Sequence, residues 1–194
     1  VNNAASGVMR PSMELEAKHW DWTMNVNAKA AWLCSIEASK LMDQGGSIVN
    51  ITSITGQQTK AYLSIYGPAK AALIQFTKQL AIDLLPHNIR VNSIAPGYFR
   101  TAMVDWYFDS PDGQSEVENL PAKRVGLLEE LDGPLLLLAS EAGVHTDHGH
   151  HWHLETLGRL VAADPTVLAS TDVRTVELED PQSCAEAVTW WLER

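Results

Sequence analysis

Tyr66 and Lys70 are the two side chains whose types and spacing most directly suggest chemistry. They lie four residues apart in a stretch of helical periodicity, so both side chains share one face of the predicted helix. A lysine cation at that distance favours phenolate over phenol, which predicts a Tyr66 pKa below the usual value of about 10. A tyrosine tuned in this way can act as a general acid or base.

Two further polar side chains extend this candidate site. Ser53 follows a β-branched run and precedes Tyr66 by 13 residues, so the loop at the end of the strand could bring its hydroxyl beside the phenol. There it could hydrogen-bond a substrate carbonyl or hydroxyl. Asn27 lies in the middle of a long helical stretch, where asparagine is a poor helix former. Holding a water that connects Lys70 to solvent would account for this residue.

Alternating helices and strands must position these side chains. Apolar residues at three- and four-residue spacings predict helices over 14–41 and 66–85, and β-branched runs predict strands over 47–52 and 89–95. The first run is short, β-branched and bounded by turn residues, as expected for a buried parallel strand. A strand–helix–strand unit binds ligands beyond the carboxyl ends of its strands, which places the candidate site just after the two predicted strands.

Less regular patterns follow the second strand. Residues 98–120 are predicted to form a loop with a turn at 111–113, and the aromatic residues 106–108 could line an apolar substrate pocket. A further helix is predicted over 129–139, interrupted early by the Gly-Pro pair at 133–134.

Composition excludes several other classes of protein. The formal net charge is −10 and the sequence shows no basic patch, which argues against nucleic-acid binding. No apolar run approaches the roughly 18–20 residues of a membrane span, and no signal peptide opens the chain. Cys34 and Cys184 have no spacing typical of a disulfide framework or a zinc site. We therefore expect a soluble protein of the cytoplasm.

Five motifs in order make the chain resemble the short-chain dehydrogenase/reductase family over residues 1 to about 143. These are Asn2-Asn3-Ala4-Ala5, the helix from Trp20 to Cys34, the strand and loop from Ser47 to Gly56, the motif Tyr66-Gly67-Pro68-Ala69-Lys70, and the segment from Ile89 to Gly97 followed by Thr101. The resemblance implies an α/β fold with a doubly wound parallel sheet, similar to the Rossmann fold.

The resemblance also implies hydride transfer between NAD or NADP and an alcohol or carbonyl substrate. Tyr66 would exchange the proton, and Lys70 would bind the nicotinamide ribose and tune Tyr66. Ser53 would orient the substrate oxygen, and Asn27 would support proton relay. The implied cofactor-binding residues are Asn2, Ala4, Tyr66, Lys70, Pro96, Gly97, Phe99 and Thr101. Members of this family pack as homodimers or homotetramers, which we expect here if the chain is complete.

The chain departs from the family pattern at both ends. We do not find the first strands or the Gly-rich turn whose helix holds the cofactor pyrophosphate. We therefore expect an incomplete sheet, and the choice between NAD and NADP stays open. After Gly143 the expected final strand with its Asp-Gly-Gly turn is missing. The sequence thus divides into residues 1–143, the C-terminal part of a Rossmann-like domain, and 144–194, an unassigned His-rich tail.

Two other functions stay open at this level. A truncated homologue that lacks the cofactor-binding half would be catalytically inactive, since hydride transfer needs a positioned dinucleotide. Five histidines between 145 and 153 would make the chain a metal-binding protein if they formed a fixed site. Three or four ligands in a flexible segment do not form the open, rigid site of a catalytic zinc, so we predict no metal ligands. A change of reading frame near Gly143 is one hypothesis for the tail.

Overall fold

A computed structural model describes residues 1–140, whose sheet is parallel. Strand β1 (Gly46–Ile51) pairs along its whole length with β2 (Ile89–Ile94). On the other edge of β1, Asn2 forms a parallel bridge to Asn50. Its N–H donates to the Val49 carbonyl at 2.8 Å. The first residues therefore continue the sheet, as the strand-like motif at 2–5 predicts.

Among residues 1–140, helices form in the three segments where apolar periodicity predicts them and also within the predicted loop 98–120. They are α1 (Ala17–Met24), α2 (Ala30–Ser39), α3 (Tyr66–Asp83), α4 (Asp105–Phe108), α5 (Pro111–Asn119) and α6 (Asp132–Ala139). Short 3-10 turns occupy Ser12–Glu14, Ile54–Gly56, Leu85–His87 and Leu128–Leu131. A π-helical turn, Asn25–Lys29, joins α1 to α2. The long helix predicted over 14–41 thus contains one widened turn.

Alternation along the strands places helices on both faces of the sheet. Ser47 and Arg90 are opposite each other in register, and both donate to the carbonyl of Leu138 on α6, at 2.6 and 3.0 Å. The next pair, Ile48 and Val91, points the other way and packs with α3 in the main hydrophobic cluster. Successive strand side chains point to opposite faces, so α3 and α6 cover opposite faces. This is the doubly wound arrangement that we expected.

A buried polar network joins four elements across this layer. The side-chain amide of Asn2 donates to Asn50 Oδ1 at 2.7 Å and to Ser35 Oγ at 3.0 Å. Asn50 Nδ2 in turn donates to Thr77 Oγ1 at 2.9 Å. Buried polar groups must be paired to avoid a desolvation penalty. The network therefore fixes the positions of the first segment, α2, β1 and α3 relative to one another.

The segment 98–120 differs from the predicted loop, because it contains α4 and α5. Ser110 caps α5, with its Oγ accepting a hydrogen bond from the N–H of Gly113 at 3.1 Å. Pro111 occupies the first turn, where a missing N–H removes no helical hydrogen bond. The Pro-Asp-Gly signal therefore begins a helix here instead of forming an isolated turn.

The last described helix also starts later than predicted. A 3-10 turn comes first, and α6 begins only at Asp132. Gly133 and Pro134 consequently lie in the first turn, where proline is tolerated. The sequence prediction that these two residues interrupt the helix is therefore wrong.

Candidate active site

Ser53 and Tyr66 meet where the turn after β1 packs against the start of α3. Their side-chain hydroxyls are hydrogen bonded to each other. Ser53 Oγ also accepts from the N–H and the hydroxyl of Thr55, at 3.1 and 2.8 Å. The turn can approach α3 because residue 56 is glycine, since a Cβ there would lie 2.8 Å from the backbone carbonyl carbon of Lys70. Close backbone packing thus delivers Ser53 to Tyr66.

Lys70 lies one turn after Tyr66 on α3, in the interior of the protein. Its side chain is buried, with 1% of its surface exposed, and Nζ donates to the carbonyl of Ile51 at 2.9 Å. The ammonium lies 5.6 Å from the centroid of the Tyr66 ring. Burial lowers the pKa of Lys70 to about 8, because leaving water disfavours the charged form.

The pKa of Tyr66 moves in the direction opposite to the sequence prediction. Burial raises it above 10, and the hydrogen bond with Ser53 opposes this effect only in part. Lys70 does not lower the Tyr66 pKa here because its ammonium donates to a main-chain carbonyl and lies beside the ring. The predicted shift is therefore wrong for this structure, and Tyr66 is a protonated phenol at neutral pH.

Asn27 occupies the π-helical turn and is fully buried. Its amide nitrogen donates to the carbonyls of Thr23 at 2.8 Å and Ser6 at 2.5 Å. Within residues 1–140 its Oδ1 is buried and has no hydrogen-bond partner. Widened turns of this type are frequent at functional sites, and an unpaired buried oxygen is a position that a water or a ligand can satisfy.

Gly7 is a site residue that the sequence analysis missed. It follows Ser6, which binds Asn27, and a Cβ on Gly7 would lie 2.9 Å from Cδ2 of Tyr66. The first loop therefore runs against the tyrosine ring and connects it to the π-helical turn. No local spacing could reveal this contact, because Gly7 and Tyr66 are distant in the chain.

The residues assigned to the cofactor by resemblance divide into two groups. Pro96 accepts from the N–H of Ile54 at 3.1 Å, which brings Pro96 and Gly97 next to the turn that carries Ser53. A Cβ on Gly97 would meet no atom within 4 Å, so this backbone faces open space. The turn that carries Ser53 therefore contacts both Pro96 and Tyr66, and Lys70 follows Tyr66 on α3.

Residues of the second group make contacts that stabilise the fold. The side chain of Asn2 belongs to the buried polar network, and Ala4 is half-buried near it in sequence. Phe99 pairs with Gly126 in an isolated bridge. Thr101 is exposed, and its carbonyl accepts from the N–H of Asp105 at 2.9 Å. The structure therefore gives Asn2 and Phe99 structural contacts in addition to any role toward a ligand.

The aromatic residues at 106–108 do not line one apolar pocket. Phe108 is buried, whereas Trp106 is 62% exposed. Tyr107 directs its hydroxyl to the carboxylate of Glu116. An open surface pocket of about 470 Å³ lies instead at the amino ends of the strands, between 39–45 and 86–88. That pocket is at the end of the sheet opposite to Ser53.

The predictions on metal sites, membrane helices and the His-rich tail can be compared with the structure only over residues 1–140. Among residues 1–140, no cluster of histidine, cysteine or acidic side chains could hold a metal ion. The same part of the chain has no helix long and apolar enough to cross a membrane. The histidines at 145–153, and the whole segment 144–194, lie outside the described residues.

Comparison with known proteins assigns the family. The model of the family described as enoyl-(acyl carrier protein) reductase matches residues 1–151. Solved structures described as short-chain type dehydrogenase/reductases, from Mycobacterium marinum and Mycobacterium ulcerans, match in fold. The chain belongs to the short-chain dehydrogenase/reductase family.

Individual relatives resemble the chain over part of their own length. A 2-dehydro-3-deoxy-D-gluconate 5-dehydrogenase of Dickeya dadantii is 35% identical over 73% of this chain and 58% of the relative. Carbonyl reductase [NADPH] 2 of Sus scrofa is 33% identical over 75% of this chain and 62% of the relative. The structure of 4-hydroxyisoleucine dehydrogenase complexed with NADH superposes with a TM-score of 0.69 at 31% identity, covering 73% of this chain and 60% of that one. The family cofactor is therefore NAD or NADP.

A second family model matches the far end of the chain. The model described as the adenylyltransferase, or ligase, domain of PNKP matches residues 123–194. The match covers less than half of the chain and overlaps the first over 123–151. It is a similarity of sequence in the tail, which the first family model covers only to residue 151.

Proposed function

We propose that this site transfers a hydride between NAD(P) and an alcohol or carbonyl substrate, with Tyr66 as the general acid or base. The observation that carries the proposal is the hydrogen-bonded pair of Ser53 and Tyr66 beside the buried ammonium of Lys70. The nicotinamide, when bound, supplies the hydride chemistry. The residues of this chain supply orientation and the proton.

The residues present fit a nicotinamide nucleoside. The backbone at Gly97 faces open space beside the carboxyl end of β2, so a flat ring can approach it closely. Lys70 offers ammonium protons for ribose hydroxyls, and it is held one helical turn from Tyr66. The unpaired Oδ1 of Asn27 is a further hydrogen-bond acceptor. The loop at Ser6 and Gly7 connects Asn27 to the ring of Tyr66.

The raised pKa of Tyr66 suits the reduction of a carbonyl. A phenol that stays protonated at neutral pH can donate to the substrate oxygen as negative charge develops there. Ser53 can donate a second hydrogen bond to the same oxygen, since its hydroxyl already lies against the phenol. Lys70, with a pKa of about 8, keeps its positive charge at neutral pH, so its ammonium can donate hydrogen bonds to the ribose hydroxyls.

The wider assignment follows from the same proposal. The chain spans 58% and 62% of the length of the Dickeya and pig relatives, and the whole protein is proposed to act on a small alcohol or ketone. We propose that it functions in the cytoplasm as a homodimer or homotetramer.

The domain division at about residue 143 is also a proposal. The match of 123–194 to a different family favours an in-frame segment of separate origin over a change of reading frame.

Titration with NADH and NADPH tests the proposal. We expect nicotinamide fluorescence to change saturably with at least one of the two, and absorbance at the nicotinamide band to fall when ketones or sugar acids are added. Absence of binding by both nucleotides at millimolar concentration would overturn the proposal and favour a catalytically inactive homologue. Binding without turnover on any carbonyl compound would contradict the assigned role of Tyr66.

A further inference from the structure

We refer to Asn27, Ser53, Tyr66 and Lys70 as the catalytic group. Outside this group, four side chains form one hydrogen-bonded cluster that is centred on the carboxylate of Glu116. Lys60 Nζ donates to Oε1 at 2.8 Å and to Oε2 at 2.7 Å. The hydroxyl of Tyr98 donates to Oε1 and that of Tyr107 to Oε2, each at 2.5 Å. Each carboxylate oxygen therefore accepts two hydrogen bonds. We refer to Lys60, Tyr98, Tyr107 and Glu116 as the Glu116 cluster.

The lysine of this cluster is also enclosed by aromatic rings. Its Nζ lies 4.8 Å from the centroid of the Tyr98 ring and 4.9 Å from that of Tyr107. The side chains of Lys60 and Glu116 are only 23% and 25% exposed. Ion pairs on the open surface contribute little because water screens them. Partial burial, charge-assisted hydrogen bonds and cation–π contacts make this pair stronger than a surface pair.

The protonation states keep the cluster intact at neutral pH. Burial raises the pKa of Glu116, but the hydrogen bonds from Lys60 and the two tyrosines outweigh it, so the net shift is downward. The hydrogen bond to Glu116 raises the pKa of Tyr107 to about 12. Burial and Glu116 together raise the pKa of Tyr98. The carboxylate thus stays an acceptor and both phenols stay donors.

The cluster joins the two segments that leave the carboxyl ends of β1 and β2. Lys60 lies between Ser53 and Tyr66 in the chain, and its carbonyl accepts from Leu63, whose own carbonyl accepts from Gly67. Lys60 is therefore continuous with the first turn of α3. The other three members belong to the segment that follows Gly97, since Tyr98 precedes α4, Tyr107 lies on α4 and Glu116 on α5.

Helices α4 and α5 form a single rigid corner. A Cβ on Gly113 would lie 2.0 Å from the carbonyl oxygen of Tyr107, so the two helices pack backbone against backbone. Ser110 Oγ donates to that carbonyl at 2.6 Å and accepts from the N–H of Gly113 at 3.1 Å. Because the corner is tight, holding Glu116 in place holds both helices in place.

We propose that Lys60 and Glu116 are positioning residues that fix the α4–α5 corner against the segment carrying Ser53 and Tyr66, and so shape the substrate side of the site. The inference rests on the proposed function for its consequence in catalysis. Neither side chain touches the reacting atoms in this proposal. Loss of the pair therefore weakens substrate binding, which raises KM, and leaves the chemical step, kcat, much less affected.

Hydrogen exchange of the full chain tests the structural half of the proposal without any activity assay. Glu116→Gln preserves the shape of the side chain but removes the charge that Lys60 and the phenols bind. We expect amides of 105–119 to exchange at least about tenfold faster, as the loss of a charge-assisted pair predicts. Glu130→Gln is the matched control, since Glu130 pairs with the exposed Arg124 outside the cluster. Equal exchange in Glu116→Gln and the parent chain would overturn the proposal.

Kinetics test the consequence for the site. Lys60→Met is expected to raise KM by about tenfold while kcat changes much less, and Lys60→Arg should restore most of the loss because it keeps the cation. In the double variant Lys60→Met/Glu116→Gln, the two effects should not add, since each removes the same pair. A fall in kcat at constant KM, or full additivity, would refute the positioning role. A parent chain without turnover would refute the proposed function, and the exchange experiment would still decide on the cluster.

Discussion

The catalytic group and the Glu116 cluster use polar side chains in opposite ways. In the catalytic group, Lys70 is buried against a neutral carbonyl and Oδ1 of Asn27 is buried without a partner among the described residues. In the Glu116 cluster the charges are partly exposed, and each carboxylate oxygen accepts two hydrogen bonds. The catalytic group thus contains a buried polar atom without a hydrogen-bond partner among the described residues, whereas the carboxylate of the Glu116 cluster has all the partners it can use.

The difference indicates what each region is for. A buried polar group without full compensation destabilises the fold, and it persists where it is used for reactivity or binding. A saturated ion cluster gains little from a ligand, but it holds chain segments at fixed positions. This contrast supports the proposal that the first region is used for reactivity and the second for positioning. The following substitutions test that contrast.

The largest effect is expected for Tyr66→Phe. Removing the phenol removes the proton donor, so we expect kcat to fall by about 10²- to 10⁴-fold, the usual contribution of general acid–base catalysis. Nicotinamide fluorescence titration should show a nearly unchanged dissociation constant. Tyr62→Phe is the control, since Tyr62 is an exposed tyrosine four residues earlier. Similar rates for both variants would show that Tyr66 does not transfer the proton.

Lys70→Met should separate stability from activity. A lysine whose pKa falls from 10.5 to about 8 on folding destabilises the fold at pH 7 by about 3 kcal/mol, at 1.36 kcal/mol for each pKa unit. We expect the variant to lose activity but to have a higher free energy of unfolding in urea. Lys78→Met, on the exposed side of the same helix, should leave both nearly unchanged. A less stable Lys70→Met protein would contradict the contrast drawn above.

The pH dependence of this difference provides its own check. The pKa of Lys70 is lower in the folded chain than in the unfolded chain, so the unfolded state binds more protons between about pH 8 and 10.5. The penalty is complete below pH 8 and disappears as pH rises through this window. The free energies of unfolding of the parent chain and of Lys70→Met should therefore converge from pH 8 to 10.5. A constant difference would mean that Lys70 has an ordinary pKa.

A smaller loss is expected for Asn50→Ala in the buried network. The substitution removes the acceptor of Asn2 and the donor to Thr77. Leaving buried partners unsatisfied costs about 1–3 kcal/mol of unfolding free energy. Asn119→Ala is the control, because Asn119 binds only a nearby carbonyl on the exposed face of α5. If both variants melt at the same temperature, the network does not hold the elements in register.

The smallest effect is expected for Glu130→Gln. Glu130 binds Arg124 and the N–H of Leu127, but it is exposed, so solvent and salt screen its charge. We expect a melting temperature close to that of the parent chain, whereas Glu116→Gln lowers it. A larger decrease for Glu130→Gln than for Glu116→Gln would reverse our ranking of the two ion pairs.

Local patterns predicted most of the scaffold correctly. The spacing of apolar residues located α3, and the β-branched runs located β1 and β2 to within a residue or two, because helix and strand periods are properties of neighbouring residues. The pairing of Tyr66 with Lys70 is equally local. Around Ser110 and Pro111, in contrast, the sequence predicts a loop where α5 begins, since capping signals and turn signals use the same residues.

Short segments of sequence were sufficient to indicate the family, the strand–helix–strand frame and the candidate catalytic residues, because motifs and periodicities are local. The direction of the Tyr66 pKa shift became visible only in the folded chain, since burial depends on what packs around the ring. It alone joined Lys60 to Glu116, which are 56 residues apart. Contacts and desolvation of this kind arise only when distant segments meet, so no local pattern can encode them.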